Sequence, residues 1–450
     1  MSLETPDPPA HATQVRFAAA PLELDDRHDD SNEPIPSDAV LRESQLADAA
    51  VPDGGFGWVI ASACAVMTWW FVGITYCWGI IQSALVAQGL STPATLSYVG
   101  SLAVTFVSIL APASAGVIAR AGARNTAILG VFLLGLGNIL SGFATSSVGG
   151  LFATNGIVMG FGVALSFMVC STTPAQYFYR KRGLANGIVF AGGGLGGAVI
   201  SFIMDELIIK LGIPWTFRVI GLMTLATGLP AAWLIRERVP VRSQSRIEWR
   251  LFRDPQFVIL FAAGAVGTFP LFVPPFFLPL YVNSLGLSSS TAAGLLAGFN
   301  FASAIGRIGC GALCDALGAL NTLFASLFIC ALSMLIIWPA SHSLAPLAAF
   351  VVINGLSNGG FFATMPTVVG NIFGSARLSV AMGMIVTGWA GGYLMGAPIA
   401  GFLLNAYGGE NRGLNPYRPA MYYAGAMALA SALLVLIARM RFSVKLIKKL

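Results

Sequence analysis

The chain has little charge and few of the side chains on which enzyme chemistry depends. Charged residues make up 10% of its 450 residues, whereas about 25% is usual in a soluble domain. The sequence contains three histidines, none of them in an apolar segment, and no Gly-x-x-x-x-Gly-Lys-Ser/Thr loop for a nucleotide phosphate. The scarcity of histidine argues against a membrane enzyme, and the missing loop argues against ATP-driven transport. We therefore expect no catalytic residues, no metal site and no cofactor.

The chain also lacks a cysteine framework and a dinucleotide-binding unit. Its six cysteines lie in or at the ends of apolar segments and form no Cys-x-x-Cys pair, so we expect them to pack as small hydrophobic side chains. The run Gly192–Gly197 contains Gly-x-Gly-x-x-Gly, but no strand pattern precedes it and no acidic residue follows at about 20 residues. We expect this run to allow close helix packing.

Long apolar stretches dominate the rest of the chain. Hydrophobic residues make up 56% of the sequence, the mean hydropathy is +0.77, and there are 52 glycines, which suit close helix packing in lipid. Each stretch reaches about 20 residues, enough to cross a hydrocarbon core of roughly 30 Å. The predicted spans are 57–86, 95–119, 124–144, 148–173, 183–207, 215–236, 255–282, 290–313, 321–340, 344–373, 378–406 and 419–439. The pattern predicts an all-α polytopic membrane protein with twelve transmembrane helices.

The distribution of charge predicts the topology. Of the 22 basic residues that follow residue 52, seventeen lie in every second loop, in the set that includes the middle linker and the C-terminal tail. Four lie on the opposite side of the membrane. Because cytosolic loops carry the excess of lysine and arginine, we expect both termini in the cytosol. The net charge of +6 therefore indicates topology and does not indicate a nucleic-acid partner.

We divide the chain into five parts. Residues 1–52 contain eleven of the 19 acidic residues and several prolines, which predicts a disordered acidic cytosolic tail without a cleavable signal peptide. Residues 53–237 form an N-terminal six-helix bundle, 238–254 a basic cytosolic linker, 255–440 a C-terminal six-helix bundle and 441–450 a basic cytosolic tail. The junctions after spans 2 and 8 align on Gly122 and Gly318, and this internal repeat favours a transporter with alternating access.

Two motifs resemble those of a known family. The stretch Asp53-Gly54-Gly55-Phe56-Gly57-Trp58 before span 1 resembles the signature of monocarboxylate porters in the major facilitator superfamily. The block Tyr177–Gly187 resembles the junction of spans 4 and 5 in that family, with Tyr177, Arg180, Arg182, Asn186 and Gly187 as its motif residues. The resemblance covers about residues 52–440 and is nearest to the fungal branch of the family. It implies the major facilitator fold and carrier-type transport.

Two positions depart from the lactate carriers of that family. Tyr76 lies at or near the place where those carriers have a lysine in span 1. Arg307 matches their span 8 arginine, but Ser303 stands where they have an aspartate four residues earlier. These departures argue against lactate-type proton symport.

Arg307 is the first candidate for substrate binding, since an intramembrane cation is costly and usually faces an interior cavity. Its guanidinium can hold a carboxylate or phenolate through two hydrogen bonds; pairing with helix carbonyls or with Asp315 is the structural alternative. Tyr76 of span 1 is a further candidate. Asn354 and Asn358, on one face of span 10, and Phe272 and Phe276, in the proline-rich span 7, are the others. Interhelical hydrogen bonds and lipid contact are the alternatives for these residues.

Asp205, at the outer end of span 5, is a candidate for proton coupling, with helix capping as the alternative. Asp53 is expected to cap span 1, where a carboxylate favours the positive end of the helix dipole.

The sequence therefore predicts a secondary active transporter of a small organic acid or secondary metabolite, in the plasma membrane or an internal one. Its partners are a small organic substrate, protons and the lipid bilayer. Efflux is one direction that fits. The alternatives are a proton-coupled importer of monocarboxylates or nutrients and a nutrient sensor that does not transport.

Overall fold

The computed structural model describes residues 53–178, 181–238, 249–373, 378–409 and 412–442. The predicted tail 1–52, most of the predicted linker 238–254, most of the tail 441–450 and Arg180 lie outside these ranges. The predicted domain boundaries stay predictions.

All regular elements among the described residues are helical. Span 1 consists of Gly57–Tyr76 and Trp78–Ala87. Span 2 consists of Pro93–Ile109 and the first part of Ala111–Ser141, and the rest of that helix is span 3. Span 4 consists of Val148–Leu151, the π-helix Phe152–Met159 and Gly160–Thr172, and spans 5 and 6 are the two parts of Arg182–Leu234. Spans 7 to 12 consist of Pro255–Gly267 with Val273–Ser284, Ser289–Leu317, Ala319–Leu332 with the π-helix Ser333–Ile337, Leu344–Phe373, Leu378–Gly388 with Ala390–Ala406, and Arg418–Phe442. Short 3-10 turns occupy Pro174–Gln176, Trp249–Arg253 and Asn415–Tyr417.

Glycines with positive φ divide the longest helices into separate spans. Eight helical stretches among the described residues are long and apolar enough to cross a membrane. The stretch Arg182–Leu234 would be about 80 Å long if it were straight, far more than a bilayer core, but Gly212 (φ 77°) turns the chain back. Gly122 (φ 80°) separates spans 2 and 3 in the same way, and Gly318 (φ 99°) separates spans 8 and 9. The predicted twelve spans in two bundles of six are therefore confirmed.

Four of the described spans are interrupted part of the way across. Span 1 breaks at Cys77, span 2 at Leu110, span 7 between Gly267 and Val273, and span 11 at Trp389. In span 7 the break coincides with the predicted proline-rich segment, because Pro270, Pro274 and Pro275 lack the backbone donors that a continuous helix needs. The interruptions at Cys77 and in span 7 lie beside the central cavity described below.

Glycines also set the close approach of the two bundles. A Cβ atom on Gly194 of span 5 would lie 2.7 Å from the backbone of Asn300 and Ala304 in span 8. A Cβ atom on Gly187 would lie 2.7 Å from the Arg307 carbonyl oxygen. On its other side the run Gly192–Gly197 contacts span 1, which confirms the predicted packing role of this run. Spans 5 and 8 therefore form an antiparallel pair with almost no side chains between their backbones.

Candidate functional site

A small cavity lies between the two bundles near the middle of the spans. Its volume is about 30 Å³, and its walls come from spans 1, 2, 4, 5, 7, 8, 10 and 11. Ligand pockets usually measure roughly 300 to 1,000 Å³, so the cavity is contracted in this conformation. Apart from Arg307, its walls consist of phenylalanines, valines, one threonine and two tyrosines. The arrangement is one charged group in an apolar chamber.

Arg307 is held in the wall by span 8 and is 1% exposed. Its Nη1 atom donates a hydrogen bond of 2.6 Å to the Phe190 carbonyl oxygen of span 5. The guanidinium also lies 5.5 Å from the ring centre of Tyr76 and 5.3 Å from that of Phe362, which are cation–π distances. Its Nε atom is buried and has no partner among the described residues. One edge of the guanidinium therefore has a donor that no described protein acceptor satisfies.

Tyr76 and Asn358 connect the two bundles beside Arg307. The Tyr76 hydroxyl donates to Asn358 Oδ1 at 3.2 Å, and Asn358 Nδ2 donates to the Leu271 carbonyl oxygen at 3.1 Å. This carbonyl belongs to the break in span 7, so Asn358 satisfies backbone that the interrupted helix leaves open. The Tyr76 ring also packs 5.1 Å from Phe272. These three predicted residues are brought together around the cavity.

Asn354 lies elsewhere, although it is one helical turn from Asn358. Its Nδ2 atom donates to Ser333 Oγ of span 9 at 2.8 Å, inside the second bundle. Its proposed contact with substrate stays a prediction that the geometry does not favour.

Phe272 and Phe276 are both buried, so neither faces lipid. Phe272 lines the cavity. Phe276 packs behind it at a ring distance of 5.5 Å and is 0% exposed. A Cβ atom on Gly79 of span 1 would lie 3.1 Å from the Phe276 carbonyl oxygen. Phe276 thus supports Phe272 and the contact between spans 1 and 7.

Several cavity residues escaped the sequence analysis. Tyr393 of span 11, Phe362 of span 10 and Phe190 of span 5 all line the chamber. Tyr393 could have been recognised from the sequence, because it is a polar ring next to Gly391 and Gly392 in an apolar span. The phenylalanines gave no such signal, because the spans contain many phenylalanines on lipid-facing and inner surfaces alike.

The cavity is closed towards both membrane faces. We define the terminal face as the face where span 1 begins and span 12 ends. Towards that face the rings of Phe167 and Trp389 meet at 6.4 Å across the bundle interface. Towards the opposite face Asn283 Nδ2 donates to Ser83 Oγ at 3.0 Å, again across the interface. The conformation is therefore occluded, with contacts between bundles above and below Arg307.

The two family motifs meet on the terminal face. Asp53 Oδ1 accepts a hydrogen bond of 3.4 Å from the Lys181 backbone nitrogen, and the rings of Trp58 and Phe178 lie 4.7 Å apart. Span 1 instead begins at Gly57 without a side-chain cap. The prediction that Asp53 caps span 1 is therefore wrong, because the turn before the helix directs the carboxylate to the span 4–5 junction.

The remaining motif residues tie this junction to its neighbours. The Tyr177 hydroxyl donates to the Arg236 carbonyl oxygen at 3.1 Å. Burial raises the pKa of Tyr177 above its ordinary value, so this hydroxyl keeps its proton. Asp315, at the end of span 8, accepts a hydrogen bond of 3.1 Å from the Leu184 backbone nitrogen at the start of span 5. Asp315 therefore serves the bundle contact and is not the partner of Arg307.

Arg182 and Asn186 belong to the same region, but differ in their contacts. Arg182 Nε donates to the Phe178 carbonyl oxygen at 3.4 Å, whereas the Asn186 side-chain oxygen is buried without a described partner. Gly54 and Gly55 form the turn before span 1, and Gly55 has a φ of 60° that favours glycine.

Asp205 lies in a second pocket at the opposite face. This pocket has a volume of about 150 Å³ and lies between spans 1, 5, 7 and 8. Ser290 Oγ of span 8 donates to Asp205 Oδ2 at 3.0 Å, across the bundle interface. The neighbouring Glu206 instead pairs with Lys210 at 2.6 Å on the exposed surface. Asp205 thus forms a hydrogen bond across the bundle interface at this face, whereas Glu206 does not.

Comparison with known proteins gives consistent results. The model of the Major Facilitator Superfamily matches residues 58–343 and 283–449. The chain is 29% identical over 368 residues to the aspyridones efflux protein apdF of Emericella nidulans, covering 80% of this chain and 74% of that protein. It is 28% identical over 394 residues to monocarboxylate transporter 3 of Rattus norvegicus, covering 84% and 79%.

A solved structure supports the fold. The human organic anion transporter MFSD10 (TETRAN) superposes with a TM-score of 0.61 at 13% identity, over 84% of this chain and 97% of that one. The relatives are transporters and not enzymes. The chain belongs to the Major Facilitator Superfamily, and its similarity to fungal transporters and to a monocarboxylate transporter confirms the predicted monocarboxylate-porter-like group.

Proposed function

We propose that the protein is a secondary active transporter that moves a small organic anion by alternating access. The observation that carries this proposal is the unsatisfied guanidinium edge of Arg307 in the cavity between the bundles. A buried cation without a countercharge is unfavourable. A carboxylate or phenolate bound at this edge supplies the missing acceptor and neutralises the charge.

The rest of the cavity favours an anion with an apolar body. Tyr76, Phe272 and Phe362 surround the guanidinium, and no second cation lies among the described lining residues. With tyrosine in place of the second cation of the lactate carriers, the chamber gains ring surface and loses positive charge. This exchange suits a larger organic acid or a secondary metabolite better than lactate.

The direction of transport is part of the proposal. The efflux function named for the fungal relative apdF favours export of a metabolite from the cell. The rat monocarboxylate transporter keeps import of a monocarboxylate as the second candidate. We place the protein in the plasma membrane with its terminal face towards the cytosol, as the distribution of basic residues predicts.

Flux of 2-naphthoate through the purified full chain in proteoliposomes tests the proposal. We expect saturable uptake by wild type and a loss of at least tenfold in Arg307→Gln, because a charge-assisted hydrogen bond is removed. Arg218→Gln is the matched control, since Arg218 is half-buried outside the cavity, where it stacks 4.0 Å from the ring centre of Phe143 and its Nε atom also has no described partner. Unchanged flux in Arg307→Gln contradicts the anion site, and binding without flux favours the sensor.

A further inference from the structure

The donors in the cavity are distributed unequally between the bundles. Nine lining residues come from spans 1 to 5, and their only polar side chains are Thr75 and Tyr76. Thr75 donates to the Phe71 carbonyl oxygen, and Tyr76 donates to Asn358. The hydroxyl protons of the first bundle's wall are therefore used within the protein. That wall offers a substrate only apolar surface and rings.

Among the cavity-lining residues of the second bundle, two carry donors without a described acceptor. One is the free edge of Arg307. The other is the hydroxyl of Tyr393, a lining residue whose side chain forms no hydrogen bond with the described residues. Tyr393 is 2% exposed, so bulk water does not satisfy this hydroxyl from outside. Arg307 and Tyr393 line the same cavity, so both donors serve one chamber.

Packing fixes the orientation of the Tyr393 ring. Its edge contacts Phe272 at 5.6 Å and Trp389 at 5.9 Å between ring centres. On the same helix Gly396 packs directly on the Phe269 backbone at the break in span 7. A tyrosine held in this way presents its hydroxyl at a defined place, which gives a hydrogen bond selectivity as well as affinity.

We propose that Tyr393 determines substrate specificity, and that the substrate is a flat organic acid with a second oxygen beside its anionic group. Arg307 binds the anionic group, Tyr393 donates to the second oxygen, and the apolar body lies against the first bundle. This inference rests on the proposed function and adds the substrate class. Aryl carboxylates with an adjacent hydroxyl and enolates of dicarbonyl compounds have the required oxygen pair.

A matched pair of acids tests the role of Tyr393. The probes are 3-hydroxy-2-naphthoate and 2-naphthoate, which share one flat body and differ by the second oxygen. For wild type in proteoliposomes we expect a KM about fivefold lower for the hydroxylated acid, the effect of one hydrogen bond. In Tyr393→Phe this preference disappears, so that the KM values for the two acids become equal.

Tyr423→Phe is the control, because Tyr423 of span 12 has a hydroxyl without a described partner but does not line the cavity. This variant should keep the fivefold preference. A preference that persists in Tyr393→Phe, or an equal loss for both acids in a variant that still folds by thermal denaturation, overturns the role of Tyr393 alone. Failure of wild type to bind either acid overturns the proposed function and this inference together.

Discussion

At the scale of single residues, the binding chemistry of the cavity depends on which hydrogen-bond donors already have acceptors within the protein. Tyr76 gives its proton to Asn358, and Asn358 in turn satisfies the Leu271 carbonyl oxygen at the break in span 7. Arg307 gives one proton to Phe190 and retains an unpaired edge. The first chain of bonds connects the two bundles, whereas the Nε atom of Arg307 is the donor that we propose for the substrate.

The bond between Tyr76 and Asn358 is measurable by a double-mutant cycle. We expect Tyr76→Phe and Asn358→Leu to show a coupling free energy of about 1 kcal/mol in thermal or denaturant unfolding, typical of one buried hydrogen bond. Asn354→Leu, which removes a bond inside the second bundle, should show no coupling with Tyr76→Phe. Equal coupling of Tyr76 with Asn354 and Asn358 contradicts the separation of these two amides.

The sequence reveals some of these residues and hides others for physical reasons. Arg307 is recognisable because a cation inside an apolar span has few tolerable places. Asn354 and Asn358 differ by about 40° around the helix, and that small angle is enough to direct one to span 9 and the other to Tyr76 and the break in span 7. Phe190 and Phe362 are hidden because helical periodicity is weak in spans that are apolar on every side.

At the scale of elements, spans 5 and 8 form the most extensive contact between the bundles. Their glycines bring backbone against backbone, and a carboxylate contact lies near each end of the pair. Asp315 of span 8 accepts from Leu184 at the terminal face, and Asp205 of span 5 accepts from Ser290 at the opposite face. The pair therefore has a glycine-rich middle and two polar ends, a geometry that allows the two helices to rotate against each other.

A single methyl group should disturb this contact. In Gly194→Ala the added Cβ would lie 2.7 Å from the span 8 backbone, which must move away. We expect a loss of about 1 to 3 kcal/mol in stability, typical of overpacking. Gly309→Ala is the control, because no atom lies within 4 Å of its Cβ position. A thermal unfolding midpoint for Gly194→Ala equal to that of Gly309→Ala contradicts the close contact.

The elements were easier to predict than their contacts. Run length and hydropathy predict the twelve spans, and the prolines predict the break in span 7. The target of Asp53 was not predictable, because helix capping is a local rule and the Lys181 backbone nitrogen lies 128 residues further along the chain. Only the folded junction brings the two together.

At the scale of the whole molecule, the occluded cavity and the pocket at Asp205 lie along one bundle interface. Movement that opens the opposite face must separate spans 5 and 8 near Ser290 and expose Asp205 to water. The residues that line this pocket include no other charged side chain, and the nearby Glu206 and Lys210 pair outside it. We therefore propose Asp205 as the coupling residue at this face.

Removing this carboxylate tests proton coupling. We expect Asp205→Asn to lose accumulation of 2-naphthoate driven by a pH gradient, while exchange without a gradient continues. Glu206→Gln is the control and should retain both activities, because its charge lies on the exposed surface. Undiminished accumulation in Asp205→Asn removes Asp205 from the coupling mechanism.

The central claim is that the free edge of Arg307 recognises the negative charge of the substrate. Calorimetric binding of 2-naphthoate and of its uncharged analogue 2-naphthamide to the purified full chain tests this claim directly. We predict that wild type prefers the acid by at least tenfold, since a charge-assisted pair replaces a neutral contact, and that Arg307→Gln binds the two compounds equally. An undiminished preference for the acid in Arg307→Gln would contradict the account.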